Sequence, residues 1–91
     1  METINKNSTV GKLSVTYEIK CQEMKILSLV AIISGDGISL IRNYFDDGSF
    51  SPTNSVSRLT EEENSVILSD VMELYERYGV YQPEIMIEEE V

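Results

Sequence analysis

Sixteen carboxylates, a single cysteine and no histidine set the chemistry open to this chain of 91 residues. Without histidine, the common general base near neutral pH is missing, and so is the usual partner of a serine or cysteine nucleophile. Cys21 has no second cysteine to bond, and its place in an alternating pattern makes it a small buried apolar residue rather than a catalytic thiol. With no CxxC pair and no histidine, zinc and haem sites of the usual kinds have no support. Nothing in the spacing of serines and lysines singles out a Ser–Lys pair. Paired carboxylates remain, because they serve both glycosidases and oxygen-liganded cations. Asp46-Asp47-Gly48-Ser49 comes nearest to a cation loop, but it lacks the alternating ligands and distal bidentate glutamate that make the calcium loop specific. It reads as a turn, and Glu61-Glu62-Glu63 reads first as charge at the start of a helix. Gly35-Asp36-Gly37 is not a GxGxxG, and it stands between two strands, so no helix N-terminus is there to cradle a phosphate. The expectation is a chain that is not an enzyme and takes no cofactor and no metal.

The carboxylates are unevenly placed. Residues 1–25 carry four lysines against three glutamates, and residues 26–58 carry Arg42 and Arg58 against three aspartates. Residues 59–91 carry ten acids against Arg77 alone, so this last third accounts for the whole net charge of −9. Such a surface repels phosphate backbones and attracts basic proteins, including those that hold nucleic acid. Direct nucleic-acid binding is therefore not expected. For most of these acids, taken one by one, solubility alone is a sufficient role. A basic pocket for a nucleotide would have to come from Lys12, Lys20, Lys25, Arg42 or Arg58, and Glu18 interrupts the one pair, Lys12 and Lys20, that shares a face.

The elements that must position these groups are legible in hydrophobic periodicity. Residues 1–9 are polar and read as a flexible N-terminus, with no apolar run of a signal peptide. Asn7-Ser8-Thr9 has the form of a glycosylation sequon, which without an export signal is a chance match. The longest apolar stretch, Leu29 to Ile33, is far too short to span a bilayer, and a reducing cytoplasm is the expected setting, a host cytoplasm if the chain is phage-encoded. Leu13, Val15, Tyr17, Ile19 and Cys21 alternate with Lys12, Ser14, Thr16, Glu18 and Lys20, the period of a strand with one wet face. Gln22-Glu23 makes a tight turn, and residues 24–34 are apolar on both parities, as in a central strand covered on both sides. Gly35-Asp36-Gly37 gives a hairpin, residues 38–45 a third strand, and Asp46-Asp47-Gly48 another turn.

The fold class expected is α+β: a three-stranded antiparallel β-meander over residues 10–48 packed against one C-terminal α-helix, in a single small domain spanning 1–91. Residues 49–59 read mainly as a polar loop anchored by Phe50 and Val56, with room for a short edge strand. Thr60-Glu61-Glu62-Glu63 has the form of a capping box, and Ile67, Val71, Leu74, Tyr75 and Tyr78 recur on one face of a helix over residues 60–78. Asp70, Glu73, Glu76 and Arg77 lie largely away from that face. Gly79 suits the residue after a helix end. Residues 80–91 read either as an acidic tail or as a short fourth strand at 84–88 on an edge.

Tyr75, Tyr78 and Tyr81 gather at the helix end, where they either close the core with hydroxyls at its rim or form an interface beside acids. The second reading makes Glu61, Glu62, Glu63, Glu73, Glu76, Tyr78, Tyr81, Glu84, Glu88, Glu89 and Glu90 the candidate protein-binding residues, facing a partner with a basic surface. In format, being short, acidic and without cysteine bridges, the chain resembles phage-encoded inhibitors of host defence, including anti-CRISPR and DNA-mimic proteins. That resemblance is one of size and charge across the chain and transfers no functional residue. It implies an inhibitor that presents carboxylates to a basic nucleic-acid-binding groove. Two other readings stand beside it. One is an oligomeric structural or accessory subunit, a homodimer included, because one helix covers only one face of a sheet. The other is an oligomeric small-ligand binder with a pocket between subunits.

Overall fold

A computed structural model describes residues 2–23 and 25–78. Five strands, β1 (Glu2–Val10), β2 (Leu13–Gln22), β3 (Lys25–Gly35), β4 (Ile38–Tyr44) and β5 (Phe50–Ser51), precede a 3-10 helix (Thr53–Arg58) and the helix α1 (Glu61–Tyr78). Each strand pairs antiparallel with the one before it, in the order β1-β2-β3-β4-β5. The class is α+β, with two more strands than the three-stranded meander expected.

The core follows from the alternation of β2. Leu13, Val15, Tyr17, Ile19 and Cys21 are buried on one face, joined by Leu29, Ala31 and Ile33 of β3 and by Ile67, Val71, Leu74 and Tyr75 of α1. Burying an aliphatic side chain of this size contributes about 1.5–3 kcal/mol, so the alternation of β2 fixes which face the helix must cover. A bulge between Lys20 and Cys21 shifts the register of β2 against β3, and Leu27 stands 50% exposed beside it.

Three expectations need correction. Residues 2–9 belong to β1 rather than to a flexible terminus: Lys6 faces Tyr17 and Ser8 faces Val15 across the pair. The composition of β1 is polar because it is an edge strand, and its backbone ladder to β2 holds it in place, with only Val10 buried in the core and Ile4 packed against it. Residues 49–59 hold the short edge strand allowed for them, β5, but the rest is mainly a 3-10 helix and not loop. Their buried anchors are Ser55 and Leu59, with Phe50 half-buried, whereas Val56 is 49% exposed. Finally, β3 is central as expected but only one of its faces is covered among the described residues, since Ile32 is 40% exposed and Val30 only half-buried. The strand considered at 84–88, and with it the segment 80–91, lies outside the described residues.

Among the described residues, no helix is long and apolar enough to cross a membrane, and no three His, Cys, Asp or Glu side chains gather as a metal site would require.

Candidate protein-binding surface

Helix α1 begins where the sequence places it. The Thr60 amide donates to Glu63 Oε1 at 2.9 Å and the Glu63 amide donates to Thr60 Oγ1 at 3.0 Å, a closed capping box. Glu63 is thus held by the fold, whereas Glu61 and Glu62 are exposed in the same turn. Further along, Glu62, Ser65, Ser69, Glu73 and Glu76 recur at spacings of three and four on the side opposite Ile67, Val71 and Leu74, and all five are exposed. The structure therefore brings Glu62, Glu73 and Glu76 onto one outward stripe, sets Glu61 on its flank and takes Glu63 into the cap.

That flank is not purely polar. Leu68 and Met72 are each 39% exposed on it. The turn after β4 lies against them: a Cβ added to Gly48 would stand 3.1 Å from Leu68 Cδ1 and 3.6 Å from Met72 Sδ. The turn carries Asp46 and Asp47. Ser49 donates to Asp47 Oδ1 through its hydroxyl at 2.6 Å and its amide at 2.9 Å, and these bonds hold the Asp47 carboxyl below the usual carboxylate range. Burial, with Asp46 and Asp47 nearby, pushes the Tyr75 phenol up, and its hydroxyl donates to the Tyr44 carbonyl at 2.9 Å. Tyr75 accordingly belongs to the core.

Tyr78 is half-buried, packed against the core, with Lys6 Nζ 5.8 Å from its ring centroid. Tyr81, Glu84, Glu88, Glu89 and Glu90 lie outside the described residues. Glu73 meets Arg77 Nη2 at 3.4 Å, with both side chains well exposed, and this is the one ion pair among the described residues. At such exposure the pair neutralises little.

Asp70 departs from the expectation that it points away from the core. It is half-buried and accepts from the Tyr17 hydroxyl at 3.1 Å and from Ser8 Oγ at 3.4 Å, tying α1 to β1 and β2. Burial pushes the Tyr17 phenol well above its usual value, and the adjacent Asp70 charge adds to the push. The unfolded chain loses this proton near pH 10 while the folded chain keeps it, so stability present below that pH is lost as pH rises above it. The urea midpoint should hold steady from neutral pH and then fall. In Tyr17→Phe the alkaline decline should be shallower by up to about 1.4 kcal/mol per pH unit. Equal declines in the two proteins would show that Tyr17 is not the titrating group.

Sequence reasoning missed the role of Arg42. It is wholly buried on the helix side of the sheet rather than available to a basic pocket. A signal was present, because Arg42 shares strand parity with Ile38, Leu40 and Tyr44 in β4. A half-open hollow between the β1–β2 turn and the start of α1 is lined by Thr9, Val10, Gly11, Thr60, Glu62, Glu63 and Val66. Two carboxylates and no lysine or arginine line it, which disfavours phosphorylated ligands there.

No protein-family model, curated protein or solved structure matches this chain.

Proposed function

We propose that this chain is a non-enzymatic protein-binding module whose outward α1 surface engages a basic protein. The observation that carries the reading is the combination on that helix of the carboxylates Glu61, Glu62 and Glu76, which have no cationic partner among the described residues, and of Glu73, paired with Arg77 only at an exposed site, with the exposed apolar side chains Leu68 and Met72. Carboxylates steer a basic partner and set its orientation, while apolar side chains supply the desolvated centre that gives lasting affinity. The basic groove of a nucleic-acid-binding protein has the complementary chemistry. Occupying it would make the chain an inhibitor, in keeping with its acidic, anti-CRISPR-like or DNA-mimic-like format.

The test is capture from native host lysate on the immobilised full chain, beside the triple variant Glu62→Lys, Glu73→Lys, Glu76→Lys. A basic protein should be retained in about 0.05 M salt and released in about 0.5 M, where screening shortens the reach of each charge to a few ångströms. The triple variant should retain about tenfold less of it or lower, a loss of roughly 1.4 kcal/mol. These three side chains are exposed, so the variant should stay folded, its stability lowered by about 1–2 kcal/mol from the cation placed at the helix N-terminus and the like charge placed beside Arg77. Equal retention by both proteins, or retention indifferent to salt, defeats the proposal.

A further inference from the structure

The face of the sheet opposite α1 is the part of the molecule that the acidic surface leaves unexplained. On β1 and β2 it is polar, as a solvated face of an antiparallel sheet should be. On β3 and β4 it is not: Ile32 stands directly opposite Ile41, Val30 opposite Asn43, and Ile32 and Ile41 are 40% and 63% exposed. Phe45, one residue past β4 and 44% exposed, continues the parity of Ile41. A solvated role does not call for β-branched apolar side chains paired across two strands at the centre of the face. Among the described residues, the segment after β4 does not cover them. Ser55 and Leu59 are buried in the core, and Ser55 is bound to Arg42 on the helix side.

We propose that this open face is the interface of a homodimer, in which two copies stack sheet against sheet with their helices outward. Charge selects a second copy as the occupant. The helix carries six acids against Arg77, whereas the open face carries Glu18 and Lys20 on β2, two positions apart and opposite in sign, and Lys25 at the start of β3 opposite Gln22, a net charge of only +1. In a chain of net charge −9, this is where two copies repel least, and a two-fold stack allows Glu18 of one copy to meet Lys20 of the other. Stacked sheets lie about 10 Å apart. Each helix adds a further diameter of about 10–12 Å beyond its own sheet, so the two acidic helices stand several Debye lengths of about 8 Å from each other. Area agrees as well. Four strands about 4.8 Å apart, with roughly nine residues of about 3.3 Å each, give a flat footprint of roughly 570 Å² per copy. Side chains raise the accessible area above that footprint, towards the about 800 Å² per partner of a standard interface.

Sedimentation equilibrium of the full chain, from about 1 to 500 µM, tests the assembly. The expected result is a monomer–dimer equilibrium that persists at high salt, unlike binding through carboxylates. Ile41→Glu should weaken dimerisation at least about 100-fold, because each copy would then bury a carboxylate against the apolar face of the other. Ile41→Lys should do the same, which separates burial of charge from simple acid repulsion. Because Ile41 is well exposed in one copy, both variants should keep the wild-type urea midpoint when measured at monomeric concentration. Met72→Glu, on the helix side, should leave the dimer unchanged. A strict monomer throughout this range overturns the proposal, as does a dimer that survives both Ile41 variants. A dimer that Met72→Glu dissolves also overturns it and places the contact on the helix.

Discussion

Replacing Arg42 by alanine is expected to lower the free energy of unfolding by about 3–5 kcal/mol, read by urea denaturation. The guanidinium is wholly buried and makes three hydrogen bonds. Nε donates to Ser55 Oγ at 2.8 Å, Nη1 to the Tyr44 hydroxyl at 2.8 Å and Nη2 to the Ser55 carbonyl at 3.1 Å. Its Cζ lies 4.1 Å from the centroid of the Phe50 ring, which in turn tilts against Tyr44. No carboxylate pairs with it among the described residues, so hydrogen bonds and the aromatic face alone offset the desolvation of the charge. Ser55 Oγ also donates to the Pro52 carbonyl, so the side chain ties β4 to β5 and the 3-10 helix together. Alanine removes the donors, leaves the Tyr44 hydroxyl and Ser55 carbonyl unpaired and opens a cavity beneath Phe50. Arg42→Met keeps the volume and should lose less, about 1–3 kcal/mol, from the unpaired acceptors alone. In Arg42→Lys a single ammonium replaces a rigid fork and should fall between them. Against a total stability of about 5–14 kcal/mol for a chain this long, the alanine variant would be at the edge of folding. A loss under about 1 kcal/mol would mean that Arg42 is a tolerated passenger rather than the tie between these elements.

Gly35→Ala is expected to cost about 3 kcal/mol or more, from two causes that add. Gly35 ends β3 with φ at +125°, a conformation that L side chains rarely adopt. A Cβ there would also stand 2.6 Å from the Lys12 carbonyl oxygen and 3.3 Å from Leu13 Cα, both backbone atoms that cannot swing aside. The β1–β2 turn and the end of β3 would have to separate. Gly11→Ala supplies the control: its φ of +62° is left-handed, but a Cβ there meets nothing within 4 Å. Its cost should be about 1 kcal/mol, the strain of the left-handed region alone. Equal urea midpoints for the two variants would show that the close approach to Lys12 is relieved at no cost.

Gly35 also shows how far local signals reach. The hairpin after β3, the alternation of β2 and the capping box of α1 were all legible, because each is written within a few neighbouring residues. So was the outward placement of Glu73 and Glu76, which follows from helical periodicity once Ile67, Val71 and Leu74 mark the inner face. β1 was not, since Ile4 and Val10 are the apolar residues of a nine-residue strand whose stability comes from its pairing with β2. β5 has two residues, too few for any period to show. Asp70 looked solvated because wheel position alone cannot reveal that Ser8 and Tyr17, from distant parts of the chain, would supply donors.

By itself, then, the sequence determined an α+β chain with a wet-faced strand, a capped amphipathic helix and an acidity concentrated after residue 59. Periodicity, caps and charge are short-range properties, and they survive whatever the rest of the chain does. Tertiary structure alone decided that the described residues form a sheet of five strands, that Arg42 is a buried tie and that the apolar second parity of β3 faces away from the helix. Each of these depends on which distant segment arrives to pair, donate or cover, and no window of neighbouring residues contains that information.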